Sequence, residues 1–324
     1  MRYDFIHAGL GKCMSTTLQR MWGHSTNIHF EGGKPIVKLV NRLAPEHRGN
    51  LDAMPMFDLW APTRTPKGGD GRVLSHEGFS FSFVNDPHKA DFMAAKHAYV
   101  AKGLKGTSST VMFMVRDPVR WIRSFHAQSI HQGGHQNARE FLTHQRQIIV
   151  ENLNLVRLFG IWREQGFRVV VLPMELYIES PDQFWATYET RLNSPIPNDR
   201  TEPTGRLRNK SNPETLPLAA EINRLQHRLA VLVQRGGAPD KKEILESLDY
   251  VRRWAARRAF EAATPQDVDA LSRRIPHQSK DEFHQHSLDD ELLKLLAKSY
   301  VEPLRSFDSM ADWVDGYAES IATP

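Results

Sequence analysis

The chain has 324 residues, of which 40% are hydrophobic and 25% are charged, a composition typical of a globular protein. Its single cysteine, Cys13, excludes an intramolecular disulfide framework and a metal site built from several thiolates. A formal net charge of +4 suits anionic ligands but is too small to indicate binding to nucleic acid. The longest apolar runs have the length of strands, so we predict no membrane span and a soluble protein of a reducing compartment, the cytoplasm.

The first third of the chain contains two predicted strands and two predicted helices. Tyr3–Ala8 is typical of a short buried strand, and a helix is predicted to begin at Ser15, whose hydroxyl can cap it. The segment His24–Asp70 is rich in Gly, Pro and Asn, which favours an irregular loop that covers a substrate. Arg72–Ser75 predicts a weak second strand, and a helix is predicted over Asp86–Lys102.

The middle of the chain repeats this alternation of strand and helix. The apolar run Thr110–Val115 predicts a strand, and Pro118–Phe125 predicts a helix that begins just after it. A long helix is predicted over Asn137–Glu164, followed by a strand at Arg168–Leu172 and a helix at Pro181–Leu192. Alternating elements of this kind predict an α/β protein with a central parallel sheet between two layers of helices, a three-layer α/β/α arrangement.

The last third of the chain is predicted to be helical. Apolar residues recur at helical spacing from Leu218 to Leu232, and a further helix is predicted from Ile244 onward. In the tail, apolar residues share one side of a predicted surface helix that packs on the body: Phe307, Met310, Trp313 and Tyr317. The sequence therefore predicts a helical C-terminal portion in addition to the sheet.

The turn Gly9–Leu18 joins the first predicted strand to the first helix. Backbone N–H groups at a helix N-terminus point towards an anion, and the helix dipole favours negative charge there. Lys12 adds a positive charge to this turn. Three hydroxyl side chains can donate to phosphate oxygens: Ser15, Thr16 and Thr17. The turn is therefore a candidate phosphate-binding loop, and an ordinary loop is the alternative.

This turn is not a Walker A loop. That motif needs a glycine five residues before its Gly-Lys pair, and the residue at that position here is Ile6. It also needs Ser or Thr after the lysine, where this chain has Cys13. The sequence therefore disfavours a P-loop kinase or nucleotidase, which remains the weaker enzyme alternative.

A second candidate anion site lies where the strand Thr110–Val115 ends. Arg116 directly follows this strand, and Ser124 lies eight residues later on the predicted helix. Ligands of open α/β sheets bind beyond the carboxyl ends of the strands, and an arginine there can bind a phosphate through two parallel hydrogen bonds. In the alternative interpretation, Arg116 pairs with Asp117 and Ser124 faces solvent. Together the two turns predict a ligand with two separated phosphate groups.

The chain resembles the sulfotransferases that use 3′-phosphoadenosine 5′-phosphosulfate (PAPS), especially their bacterial and carbohydrate-type branches. Lys12–Leu18 is similar to that family's loop for the 5′-phosphosulfate, and Arg116-Asp117-Pro118 with Ser124 is similar to its 3′-phosphate motif. Two weaker similarities follow, Val169–Glu175 and the basic stretch Arg206–Ser211, which usually closes over the cofactor. The resemblance implies a P-loop-like fold, a PAPS-binding core over residues 1–215 and a helical extension over 216–324.

The resemblance also implies which residues bind the nucleotide. They are Gly11, Lys12, Cys13, Met14, Ser15, Thr16, Thr17, Arg116, Ser124, Arg206, Arg208 and Lys210. Met14 departs from the family pattern, because a glycine usually stands there and only glycine takes a positive φ without cost. Gly11 replaces the usual Pro or Arg, and we expect it to restore some of that freedom. The site is thus expected to be a variant PAPS site, with a degenerate nucleotide-binding or scaffold protein as the alternative.

Sulfuryl transfer needs in-line geometry and stabilisation of charge on the leaving phosphate, but no metal is expected to be required. Lys12 is the candidate for that stabilisation. The resemblance implies a base near the sulfur, and either His76 or Glu77 can serve, with Glu31 as a third candidate. In the alternative interpretation, His76 and Glu77 form a structural hydrogen-bonded pair.

The remaining expectations concern Cys13 and the acceptor. Lys12 and the helix N-terminus are expected to lower the pKa of Cys13, although packing is its expected role. Carbohydrate, lipid and small-molecule hydroxyl acceptors all remain open, with an amine less favoured, and the sequence does not indicate the oligomeric state.

Overall fold

A computed structural model describes residues 3–43, 71–81, 89–200, 216–235, 244–245, 247 and 288–322. Five parallel strands form one sheet in the order β2-β3-β1-β4-β5. The strands are β1 (Phe5–His7), β2 (Ile28–Gly32), β3 (Gly71–Ser75), β4 (Thr110–Val115) and β5 (Arg168–Pro173). The predicted α/β class and the central parallel sheet are therefore confirmed.

Helices connect the strands and follow them. They are α1 (Ser15–His24), α2 (Lys34–Leu43), α3 (Lys89–Gly103), α4 (Pro118–His131), α5 (Ala138–Asn152), α6 (Leu155–Glu164), α7 (Met174–Glu179), α8 (Pro181–Leu192), α9 (Leu216–Arg235), α10 (Asp290–Leu296) and α11 (Val314–Ala322). A π-helical turn, Ala297–Val301, directly follows α10. No helix of the described ranges combines the length and the apolar character that crossing a membrane requires.

The sheet has the burial pattern of a covered parallel sheet. Every residue of β4 is buried, which is why this strand is a continuous apolar run rather than an alternating one. His7, the last residue of β1, lies opposite Ser75 of β3 and Met112 of β4. β5 ends at Pro173, and a proline is tolerated there because β5 lies at the edge of the sheet.

The direction of the connections reverses at the centre of the sheet. The chain leaves β1 towards β2 on one side, and it leaves the neighbouring strand β4 towards β5 on the other. Right-handed crossovers then put the helices of the two halves on opposite faces of the sheet. In open α/β sheets such a reversal opens a crevice at the carboxyl ends of the strands, where ligands bind. The fold therefore places the segments that follow β1 and β4 at the candidate site.

The prediction of an irregular segment over residues 24–70 is wrong for its first part. This part contains β2 and α2, while residues 44–70 lie outside the described residues. Only Ile28 of β2 is buried, since this strand lies at the edge of the sheet, and the apolar signal is correspondingly weak. Pro35 lies in the first turn of α2, where its missing N–H costs nothing, so it marks a helix start rather than a loop.

The long helix predicted over residues 137–164 is two helices. α5 ends at Asn152 and α6 begins at Leu155. The side chain of Asn154 accepts a hydrogen bond from the backbone N–H of Arg157 at 3.1 Å and so caps α6. The core stripe continues across this break, which is why its periodicity indicates a single helix.

The tail also differs from the predicted single surface helix. A 3₁₀ turn, Asp308–Met310, is separated from α11 by residues 311–313. Met310 and Tyr317 are buried, whereas Phe307 and Trp313 are only half-buried. The predicted apolar side is therefore divided between two short elements.

The chain divides into two compact units. One contains residues 1–121, 147–204 and 290–324, and therefore the whole sheet. The other contains residues 122–146 and 205–289, and within it Asn223 of α9 donates to the carbonyl oxygens of Ile130 and Gly134, each at 2.8 Å. The assignment of a PAPS-binding core to residues 1–215 concerns function and stays a prediction.

Candidate functional site

The loop between β1 and α1 holds two non-glycine residues in the left-handed region. Lys12 has a φ of 70°, and Met14, the N-cap of α1, has φ 65° and ψ 8°. Gly11 lies outside this region, so the expectation that Gly11 supplies the conformational freedom is wrong. Met14 adopts the conformation that usually needs glycine, at a local cost of about 1–2 kcal/mol.

The same loop presents backbone donors. Across the described residues, no backbone N–H from Lys12 to Thr16 donates a hydrogen bond within the protein. The next two N–H groups, of Thr17 and Leu18, both return to the carbonyl oxygen of Met14, at 3.0 and 3.1 Å. Consecutive N–H groups at a helix N-terminus bind anions, so the loop has the donors that a phosphate requires.

Close packing fixes the shape of the loop. The indole N–H of Trp121 donates to the carbonyl oxygen of Gly11 at 2.7 Å. A Cβ on Gly11 would lie 2.7 Å from the ring of Phe81, and one on Gly9 would lie 2.4 Å from Nε2 of His7. Both glycines are therefore required by close approach, not by φ.

Lys12 lies half-buried among other charged groups. Burial lowers its pKa, the carboxylate of Glu77 raises it, and the guanidinium of Arg116 lowers it further. The three side chains therefore act on one another electrostatically, which places the loop, the end of β3 and the end of β4 around one region. An anion bound there would raise the pKa of Lys12 back towards its ordinary value.

The expectation of a lowered pKa for Cys13 is wrong. The thiol is fully buried, and this burial raises its pKa, against smaller lowering effects of Arg116 and Lys12. Desolvation thus outweighs the helix N-terminus and the lysine. A neutral buried thiol agrees with the expected packing role.

Arg116 follows β4 without pairing with its neighbour. The carboxylate of Asp117 accepts a hydrogen bond from the backbone N–H of Arg120 at 2.7 Å and so caps the start of α4. Within the described part of the chain, no carboxylate forms an ion pair with the half-buried guanidinium of Arg116. Its charge acts on both Lys12 and Cys13, so it is available to an anion next to the loop.

His76 is a weak candidate base. Its Nδ1 accepts a hydrogen bond from the backbone N–H of Gly78 at 2.8 Å, not from Glu77. Nε2 of the neutral ring therefore carries the proton and cannot accept another. Burial, with the charges of Lys96 and Lys34, also lowers the pKa of His76 to about 4. The hydrogen bond gives His76 a structural role as the cap of the 3₁₀ turn Glu77–Phe79.

Glu77 and Glu31 have different surroundings. Burial raises the pKa of the half-buried Glu77, and the charge of Lys12 partly offsets this rise. Glu31 lies on the edge strand β2 and accepts a hydrogen bond from the hydroxyl of Tyr3. Of the candidate bases, Glu77 is the one that interacts with Lys12.

The other predicted binding residues lie in the first turn of α1, in the second unit or outside the described residues. Ser124 is half-buried on α4, in the second unit. Ser15 is buried, Thr17 half-buried and Thr16 exposed in the first turn of α1. Three predicted residues lie outside the described part of the chain: Arg206, Arg208 and Lys210.

Sequence reasoning missed the residues that support the loop from below. His7 is fully buried, and its Nδ1 lies 2.7 Å from Oγ of Ser75, which also accepts a hydrogen bond from the side chain of Gln19 at 3.0 Å. A histidine as the last residue of an apolar strand, two residues before a glycine, is the signal that could have indicated them. In the described ranges, no three His, Cys, Asp or Glu side chains are grouped to hold a metal ion.

No protein family, curated protein or solved structure matches the chain significantly.

Proposed function

We propose that this protein is a sulfotransferase that transfers the sulfuryl group of PAPS to a hydroxyl acceptor, on a P-loop-like three-layer fold. One observation carries the proposal: among the described residues, the loop with Lys12 has backbone N–H groups that donate to no protein acceptor, Arg116 has no ion-pair partner, and both follow strands at the reversal point of a parallel sheet. Two neighbouring cationic positions of this kind suit a nucleotide with two phosphate groups.

In this proposal, the segments that follow β1 and β4 bind the donor. Its 5′-phosphosulfate is bound by the N–H groups of the loop and by Lys12, and its 3′-phosphate by the guanidinium of Arg116. Contacts of the nucleotide with Ser124 and Arg206–Ser211 stay predictions from the sequence alone. Met14 fits this assignment, since its backbone has the left-handed conformation that glycine adopts without strain.

The reaction is an in-line displacement at sulfur. The acceptor oxygen forms a new S–O bond while the bond from sulfur to the bridging oxygen of the 5′-phosphate breaks, which gives a sulfate ester and adenosine 3′,5′-bisphosphate. Lys12 and the loop N–H groups stabilise the charge that develops on the leaving phosphate. The acceptor's proton passes to the carboxylate of Glu77, whose raised pKa makes it a stronger base than an ordinary glutamate.

A nucleotide-binding assay followed by a transfer assay tests this function. We expect the protein to bind adenosine 3′,5′-bisphosphate and to transfer labelled sulfate from PAPS in a screen of carbohydrate, lipid and small alcohol acceptors. Lys12→Ala should weaken binding and abolish transfer. Lys105→Ala, a change of an exposed lysine that precedes the amino end of β4, should alter neither.

Glu77→Gln separates binding from catalysis. We expect this variant to bind the bisphosphate normally and to lose about 10²–10⁴-fold in transfer rate, the typical contribution of a general base. Full transfer by Lys12→Ala would overturn the proposal. Binding without transfer to any acceptor class would instead favour the scaffold alternative, and no binding would exclude both.

A further inference from the structure

The end of β4 is fixed by side chains from distant parts of the chain. The hydroxyl of Tyr300 donates to the carbonyl oxygen of Arg116 at 2.6 Å and accepts from its backbone N–H at 3.2 Å. The carboxylate of Glu175 accepts from the backbone N–H of Asp117 at 3.1 Å and from the hydroxyl of Tyr317. Two tyrosines of the C-terminal segment 290–322 therefore act, directly or through Glu175, on the two residues that follow the strand.

These contacts give hydrogen-bond partners to the backbone groups of Arg116. The pairing of β4 with β5 ends at Val115 opposite Pro173, so Arg116 lies one residue beyond the last pair of this ladder. The backbone groups of Arg116 therefore have no ladder partner on that side. Tyr300 supplies both a donor and an acceptor at this point, so the direction of the chain as it leaves the sheet depends on its hydroxyl.

The groups involved are buried and specialised for this role. Tyr300, Tyr317 and Glu175 are exposed by 0%, 3% and 5% respectively, and a buried polar group without a partner is costly. Burial raises the pKa of both tyrosines, so both hydroxyls remain protonated donors. A polar network this deep holds its partners in one arrangement when every group is satisfied.

We propose that the C-terminal segment positions Arg116, and that Tyr300 and Tyr317 thereby set the selectivity of the site for a nucleotide with a 3′-phosphate. This inference rests on the proposed function, in which Arg116 binds that phosphate. Tyr300 and Tyr317 are positioning residues, because they hold the strand end from which the guanidinium projects and have no role in the transfer itself.

The test compares two ligands that differ only in the 3′-phosphate: adenosine 3′,5′-bisphosphate and adenosine 5′-monophosphate. Calorimetry gives both dissociation constants for the full-length protein and for Arg116→Ala, Tyr300→Phe and Tyr317→Phe. Tyr188→Phe is the matched control, since this buried tyrosine packs on Phe5 at the start of β1 and has no hydrogen bond to Arg116 or Glu175 among the described residues. Thermal unfolding of each variant is measured alongside.

We expect Tyr300→Phe to weaken binding of the bisphosphate by about three- to tenfold, the value of one hydrogen bond, and to leave binding of the monophosphate unchanged. The ratio to compare is the dissociation constant of the monophosphate divided by that of the bisphosphate. Tyr317→Phe should lower this ratio as Tyr300→Phe does, and Tyr188→Phe should leave it unchanged. An equal loss of affinity for both ligands would indicate a general destabilisation of the fold and would overturn the inference. If Tyr300→Phe does not fold, the ratio measured for Tyr317→Phe decides.

The two proposals fail in different ways. If the wild type does not bind the bisphosphate, or if Arg116→Ala leaves the ratio unchanged, the proposed nucleotide site is wrong and this inference falls with it. If Arg116→Ala lowers the ratio while both tyrosine variants retain the wild-type value, only the positioning role is overturned.

Discussion

Replacement of Met14 by glycine should stabilise the protein relative to replacement by alanine. Met14 has a φ of 65°, where a residue with a Cβ is strained by about 1–2 kcal/mol. Glycine removes this strain but adds about 0.4–1 kcal/mol of conformational entropy to the unfolded chain. Both variants lose the half-buried methionine side chain, so their difference isolates the backbone and should favour glycine by about 0.5–1 kcal/mol.

Urea denaturation of Met14→Gly and Met14→Ala measures this difference in the free energy of unfolding. Ala186→Gly provides a control of opposite sign, because Ala186 is exposed in the middle of α8, where glycine should destabilise by about 1 kcal/mol. Met14→Gly should also bind adenosine 3′,5′-bisphosphate at least as tightly as the wild type. A glycine variant less stable than the alanine variant would refute the assignment of backbone strain to Met14.

Two further predictions concern pH. Burial raises the pKa of Glu77, so the rate of transfer should rise with pH at a value above the ordinary Glu pKa of about 4.3. Burial lowers the pKa of Lys12, so the rate should fall again at a value below the ordinary Lys pKa of about 10.4. A pH–rate profile in which Glu77→Gln keeps the acid limb, or His76→Asn loses it, would contradict this assignment. Burial, with the charge of His76, also lowers the pKa of His7 from 6.5 to about 3, so the unfolded state binds a proton more readily than the folded state, and stability should fall as the pH drops below 6.5. Between pH 7 and pH 5, the free energy of unfolding of His7→Asn should fall by about 2 kcal/mol less than that of the wild type in urea titrations. An equal fall in both proteins would exclude His7 as the source.

Four of the five strands could be predicted, because buried strands consist largely of apolar residues. β4 has the predicted bounds, and β5 extends one residue beyond its prediction to Pro173. β1 is shorter than predicted at both ends, and β3 gains Gly71. β2 could not be predicted, because an edge strand with one buried residue has no continuous apolar run. Local sequence therefore indicates strands that contain an apolar run, including the edge strand β5, better than a strand such as β2 that has one buried residue.

In the candidate site, too, the features that depend on neighbouring residues could be predicted, and those that depend on distant contacts could not. The loop with Lys12 and the strand end with Arg116 could be predicted from a few consecutive residues, since glycines, cations and hydroxyls stand side by side there. Tyr300 contacts Arg116 across 184 positions of sequence, and Trp121 contacts Gly11 across 110. No local pattern encodes such contacts, so the residues that support the site became visible only in the folded chain.

The conformation of Met14 shows how these distant contacts bear on the site itself. A methionine has no preference for the left-handed region, and its neighbour Lys12 has none either. The surroundings impose the loop's shape instead: the indole of Trp121 holds the carbonyl of Gly11, and the ring of Phe81 fills the space beside it. A departure from a glycine pattern is therefore a change in local energy and not a loss of geometry, because packing against the loop is enough to maintain its left-handed backbone at Lys12 and Met14.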